Sequence, residues 1–171
     1  MKKAVLILAS AAFMMSCGSD GTTTTTTEDT STTPATEQTE TRPENIPDEV
    51  TITISGDDQM KYDKTELTVY EGQKVTLVLK HTGSLPKHVM GHNWTLLKEG
   101  VDWAGFDREA LNYKDNDYIP TDTKDIIVHT DMIGGGEETS VTFEAPAKGT
   151  YYYLCTFPGH ASQMHGTLTV K

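Results

Sequence analysis

At 171 residues and 18.8 kDa the chain suits one modest domain with appendages and leaves little room for a second, catalytic one. Fourteen Lys and Arg against 25 Asp and Glu give a formal net charge of -11, so most of the surface repels nucleic acid, which is excluded as a partner. Hydrophobic residues make up only 36%, which leaves part of the chain outside any core.

Residues 1–16 read as a signal peptide. Met1-Lys2-Lys3 is a short cationic start, Ala4 to Met15 an uncharged and mostly apolar run, and Ser16-Cys17-Gly18 supplies the small residues of a processing site. The run falls short of the ~20 apolar residues of a spanning helix. A cysteine directly after it resembles the lipobox of bacterial lipoproteins, with Met14 where leucine is usual. That resemblance implies lipidation of Cys17 and a membrane-anchored protein of the periplasm or cell surface; an ordinary secretory signal with an incidental Cys17 is the alternative. Loss of Lys2 and Lys3 with the signal makes the mature chain two charges more negative. Residues 17–48 carry the lipid site and then a tether. The six threonines Thr22–Thr27, three prolines (Pro34, Pro43, Pro47) and seven acids against the single base Arg42 offer almost nothing to bury. Such a segment stays disordered and self-repelling.

From Glu49 to the end, residues 49–171, period-two alternation marks eight short strands: Val50–Ile54, Leu67–Val69, Val75–Leu79, Trp94–Leu97, Ile126–Val128, Val141–Phe143, Tyr151–Leu154 and Leu168–Val170. Eight such strands predict an all-β antiparallel sandwich. Between the fourth and fifth the pattern breaks, and Asp107 to Tyr113 predicts a short helical flap with Asp107 as its N-cap. Gly134-Gly135-Gly136 lacks the Lys-Ser/Thr of a phosphate loop and reads as a turn.

With Cys17 lipidated, Cys155 has no disulfide partner. It is either a small buried hydrophobe or a ligand, and its neighbours favour the second. Cys155-x4-His160-x3-Met164 places a thiol, an imidazole and a thioether on one strand-to-strand loop, turned by Pro158-Gly159. A thiolate and two imidazoles in a plane with a weak axial thioether form a blue-copper ligand set. His92, at the start of another strand, is the candidate for the second imidazole. His88 and His92 are four apart, but Gly91 and the adjacent strand argue against a helix-borne zinc pair.

The stretches Pro86-Lys-His-Val-Met-Gly-His-Asn-Trp94, His129-Thr-Asp-Met-Ile-Gly134 and Cys155-Thr-Phe-Pro-Gly-His160, followed by Met164-His-Gly-Thr-Leu168, resemble the azurins, bacterial cupredoxins. The resemblance spans residues 49–171 and implies an eight-stranded Greek-key sandwich holding one type 1 copper. It implies His92, Cys155 and His160 as equatorial ligands, Met164 as the long axial one, and the Gly91 carbonyl as a weak axial contact. Asn93 would brace the ligand loop, and its N–H and that of Phe157 would point at the Cys155 sulfur. Met60, Leu85, Met90, Phe157 and Pro158 would form an apolar docking patch for redox proteins around His160, made more polar by Gln163. Trp94 would pack the core, and His81 would lie close to the metal, as a satisfied core imidazole or as a group whose protonation follows the redox state. His88 stands where azurins carry Asn and is expected to be exposed; His129 and His165 are expected to be bystanders. The disulfide by which azurins tie their first strand to their third has no counterpart, because Cys155 is the only cysteine of this region. A metal site with no open position points to a single-electron carrier rather than an enzyme, with no small-molecule substrate. The rival is a module that stores or delivers copper, which Met-rich or Cys-x-x-Cys sites would favour; neither is near the loop.

Overall fold

Eight strands form where the alternation lies. The structure, a computed structural model, describes residues 43–171; the signal peptide, Cys17 and the tether as far as residue 42 lie outside the described residues. In chain order the strands are β1 (Glu49–Gly56), β2 (Glu66–Val69), β3 (Lys74–His81), β4 (Thr95–Leu97), β5 (Ile126–His129), β6 (Glu138–Glu144), β7 (Gly149–Leu154) and β8 (His165–Val170). They make two sheets, ordered β1-β3-β6 and β2-β8-β7-β4-β5. Along β3 the alternation is literal, with Val75, Leu77, Leu79 and His81 buried and the residues between them more exposed.

The expectation of a purely antiparallel sandwich is corrected. β1 pairs with β3 in parallel from Glu49↔Lys74 to Gly56↔His81, and β2 pairs with β8 in parallel from Glu66↔Thr167 to Val69↔Val170. Both pairs join strands that are not linked by a hairpin, so nothing in a turn sets their direction. The remaining pairings are antiparallel. Residues 43–48 carry a turn closed by the Ile46 N–H on the Pro43 carbonyl, and the Gln73 amide donates to the Pro47 carbonyl.

The core lies between the sheets. Ile54, Val75, Leu77 and Leu79 from one meet Leu96, Tyr153, Leu168 and Val170 from the other, with Trp94 fully buried among them. Trp94 packs within 5.4 Å of Tyr153 and 5.9 Å of Phe143, ring centre to ring centre. The alternate residues Leu97 and Leu154 fall in a second cluster with Phe106 and Ala161, so the inserted helix covers the other face of the larger sheet.

That helix, α2, spans Trp103–Ala110 and continues into a 3₁₀ turn at Leu111–Asn116; a shorter helix, α1 (Lys87–Met90), precedes β4. The predicted start at Asp107 is therefore corrected. Asp102 is the N-cap, its carboxylate accepting from the Ala104 N–H at 3.2 Å, and Asp107 sits mid-helix. Both aspartates precede a helical pattern, and the one followed by Trp103 and Phe106 begins the face that packs. Gly134 to Glu137 forms the expected turn, with Gly136 at φ 80°. Among the described residues no helix is long and apolar enough to cross a membrane.

Candidate metal centre

Two connections carry the site. The β7-to-β8 loop starts at Cys155, turns at Gly159 with φ 83°, and returns at Met164. Its own backbone closes it: the Cys155 N–H donates to the Met164 carbonyl at 2.9 Å, the Met164 N–H to the His160 carbonyl at 2.8 Å, and the His160 N–H to the Phe157 carbonyl at 3.0 Å. The second connection runs from α1 into β4. There His92 exchanges hydrogen bonds with Ile133 (2.9 and 2.8 Å), which pins it before Trp94 enters the sheet.

These connections bring one ligand atom each from His92, Cys155 and His160 within 4.8 Å of one another. Met164 joins them: a Cβ built on Gly56 would lie 2.7 Å from His92 Cδ2 and 3.0 Å from Met164 Cε, so both side chains converge over that glycine of β1. Burial is complete for His92, Cys155 and Met164, and His160 is 2% exposed. The Cys155 sulfur lies 3.7 Å from His160 Nδ1 and 3.8 Å from the Gly91 carbonyl oxygen.

Protonation follows from burial. Desolvation lowers the pKa of His160 to about 4, with the neighbouring imidazoles adding to it, and desolvation lowers that of His92. Both rings are neutral at pH 7. Burial pushes the Cys155 thiol up to about 12, although the backbone N–H groups of Asn93 and Phe157 face its sulfur and favour the thiolate.

The donor set fits copper on an observation of its own. His92 Nδ1 lies 2.9 Å from the Gly91 carbonyl oxygen and Nε2 lies 2.9 Å from that of Asp57. A neutral imidazole has one N–H, so one of these approaches sets a nitrogen lone pair against an oxygen lone pair. A cation at the inward nitrogen relieves that conflict, and a thiol, two imidazoles and a thioether are the soft and borderline donors copper takes.

Asn93 ties the two connections together. Its side-chain amide donates to Thr156 Oγ1 at 2.8 Å and its carbonyl oxygen accepts from the Thr156 N–H at 2.9 Å, with both residues fully buried. The Tyr62 hydroxyl donates to the Asn93 backbone carbonyl. His81 stacks on His92 with ring centres 4.2 Å apart. Its Nδ1 accepts from the Gly83 N–H (3.1 Å) and its Nε2 lies 2.7 Å from the Met90 carbonyl oxygen, so both ring nitrogens have partners. His88 and His129 are exposed, and His165 stacks on Trp103 at 4.5 Å. Of the residues expected to form the apolar patch, Leu85 is 36% exposed, Met90, Phe157 and Pro158 are half-buried, and Met60 packs against the core. Sequence reasoning missed Gly56, which makes room for the distant His92 and Met164, and Val89, 48% exposed on α1.

A family model described as copper binding proteins of the plastocyanin/azurin family matches residues 48–171. The azurin of Pseudomonas aeruginosa is 42% identical over 128 residues, covering 72% of this chain and 86% of the relative. Azurin-1 of Alcaligenes xylosoxydans xylosoxydans is 44% identical over 125 residues, 70% of this chain and 96% of the relative. Among solved structures, auracyanin A of Chloroflexus aurantiacus, described as a blue copper protein, superposes with a TM-score of 0.66 at 40% identity, covering 72% of this chain and 99% of that one. The chain belongs to the plastocyanin/azurin family of copper-binding proteins.

Proposed function

We propose that the protein carries single electrons, and that His92, Cys155, His160 and Met164 would hold one type 1 copper with the Gly91 carbonyl oxygen nearby. The observation that supports this most is the convergence of three ligand atoms within 4.8 Å in a fully buried pocket. Copper bound there would supply a one-electron couple. The chain's own residues do the rest. Cys155 gives up its proton to become the thiolate. Asn93 and Phe157 turn their N–H groups towards its charge, and the Asn93–Thr156 pair keeps the two connections in register. Burial excludes water and leaves no path for a substrate to a free coordination position, which favours a carrier over an enzyme. Burial of all four side chains also favours retention of the ion over its delivery.

Partners would be redox proteins that dock weakly on the apolar surface of Leu85, Val89, Met90 and Pro158 beside the ligand loop, with Met60 and Phe157 behind it. Lipidation at Cys17, with a tether over residues 17–48 and the cupredoxin domain over 49–171, would hold the carrier at a membrane of the cell envelope. The visible spectrum tests the central claim: loading with copper(II) is expected to produce an intense blue band that Cys155→Ser abolishes. A colourless cupric protein would overturn the reading.

A further inference from the structure

A cleft of about 580 Å³ opens beside the metal centre, between α1, the segment that follows the 3₁₀ turn, and the ligand loop. That volume lies within the range of small-molecule sites, ~300–1,000 Å³. Its lining has two characters. Lys87, His88 and Lys114 bring cationic or protonatable groups against the single carboxylate of Asp117, and Tyr118, Phe157 and the buried Met132 bring apolar surface. Lys87 is paired with Asp117 at 2.7 Å, whereas Lys114 has no ion pair among the described residues, which leaves one positive charge without a described counter-ion at the rim, in a chain whose net charge is -11.

The aromatic wall is held in place by an unusual backbone. Asp117 and Tyr118 are consecutive and neither is glycine, yet both sit at positive φ, 50° and 61°. Such strain persists only where the surroundings fix it. Here the Lys87–Asp117 pair and the Tyr118 N–H on the Tyr113 carbonyl (2.9 Å) do so, and the result presents the Tyr118 ring edge-on to Phe157, ring centres 5.7 Å apart.

The cleft also abuts the metal centre on two sides. The Phe157 N–H faces the Cys155 sulfur. The Met132 side chain occupies the space a Cβ on Gly91 would need, 3.0 Å from it, and the Gly91 carbonyl oxygen lies 3.8 Å from that same sulfur.

We propose that this cleft binds a small aromatic carboxylate, its ring against Tyr118 and Phe157 and its anionic group at Lys114, so that an organic anion sits one residue away from the copper-thiolate unit. The neutral ring surface selects an aromatic body, the free ammonium selects one negative charge, and the volume limits the body to one or two fused rings. The cleft shares Phe157 with the apolar docking surface but would take its anion at Lys114, outside that surface, and it stands whether or not that surface serves redox proteins.

Isothermal titration of 2-naphthoate into the full, copper-loaded chain tests it, with 2-naphthylmethanol and acetate as controls. Stoichiometric, saturable binding is expected with a Kd of about 1 mM. 2-Naphthylmethanol and acetate are each expected to bind at least about fivefold more weakly, because each lacks one of the two recognised features. Lys114→Met and Tyr118→Ala are expected to weaken 2-naphthoate by about as much while leaving the blue band intact, since neither residue is in the metal centre. No saturable binding, equal binding of the alcohol, or indifference to both substitutions would overturn the proposal.

Discussion

Replacing Asn93 with alanine removes a side chain that ties the two ligand-bearing connections together by two hydrogen bonds. In the native protein its amide satisfies the Thr156 N–H at 2.9 Å and Thr156 Oγ1 at 2.8 Å. Thr156 is fully buried, so water cannot take over either role. The threonine oxygen loses only a donor, and its own O–H remains free to rotate; the N–H loses its acceptor and cannot turn away. A buried polar group left unpaired costs about 1–3 kcal/mol, and the cavity left by the lost amide adds to that, so Asn93→Ala is expected to cost about 2–4 kcal/mol. For a domain with a total stability of about 5–15 kcal/mol that is a large share. Denaturant unfolding of the metal-free variant reads the loss. Thr156→Val, which keeps the backbone bond to the Asn93 carbonyl oxygen, is expected to cost less. Because the pair also sets the spacing of His92 and Cys155, the copper-loaded variant is expected to release its ion faster to a chelator. Stability within about 0.5 kcal/mol of the parent together with an unchanged release rate would refute the idea that this side chain joins the two halves of the site.

Gly56→Ala places a methyl group 2.7 Å from His92 Cδ2 and 3.0 Å from Met164 Cε; overpacking of this kind costs about 1–3 kcal/mol, and calorimetry is expected to show a lower Tm with a shifted blue band. Removing copper is expected to lower the Tm, because an ion bound only by the native state contributes about 2.7 kcal/mol at a free concentration a hundredfold above its Kd; equal melting of the two forms would count against tight native binding. Alkali is expected to destabilise the metal-free protein: the Cys155 pKa rises from 9.0 unfolded to about 12 folded, so this contribution is intact below pH 9 and is lost as pH climbs towards 12. Between pH 8 and pH 10.5 the loss attributable to this thiol is about 2 kcal/mol, read as the difference between the parent and Cys155→Ala in urea titrations, since Tyr62 and Tyr153 shift in the same direction in both proteins.

The strands were readable because one face of each is buried, and burial of alternate residues writes itself into the sequence; Leu168 and Val170 on β8 show it as plainly as Val75, Leu77 and Leu79 on β3. Strand direction leaves no such trace. The period is two whether β1 runs with β3 or against it, so the parallel pairs could not be read from pattern. The Cys155–Met164 loop was legible because its ligands are nine residues apart on one turn, whereas His92 needed the neighbouring Gly91, Asn93 and Trp94 to single it out. Asp107 misled because helix caps are judged locally. Asp102 caps a helix whose packing face, Trp103 and Phe106, lies upstream, while Asp107 has a buried Oδ1 without a partner in the middle of it. Gly56 had no local sign, since the His92 and Met164 side chains it makes room for lie more than thirty positions away, and Asn93 was singled out only by the resemblance, its partner Thr156 being 63 residues on.

Burial bears on the reduction potential as directly as on stability. With a thiolate and two neutral imidazoles, the cupric site carries one net positive charge and the cuprous site none. Removing the ligands from water penalises the charged form, so burial alone draws the potential upwards. The N–H groups of Asn93 and Phe157 act in the same direction, because they stabilise charge on sulfur, and reduced copper leaves more of it there. Two things oppose them: the acidity of the chain, whose formal net charge is -11, and the Asp107 carboxylate, whose charge reaches the Cys155 thiol. Exposed charges beyond a Debye length of about 8–10 Å are screened; Asp107 and the two N–H groups, close to the sulfur and partly or wholly out of water, are not. The potential is therefore expected to respond to substitution of the groups around Cys155 more than to substitution of exposed acids, which are expected to act on the rate of association instead.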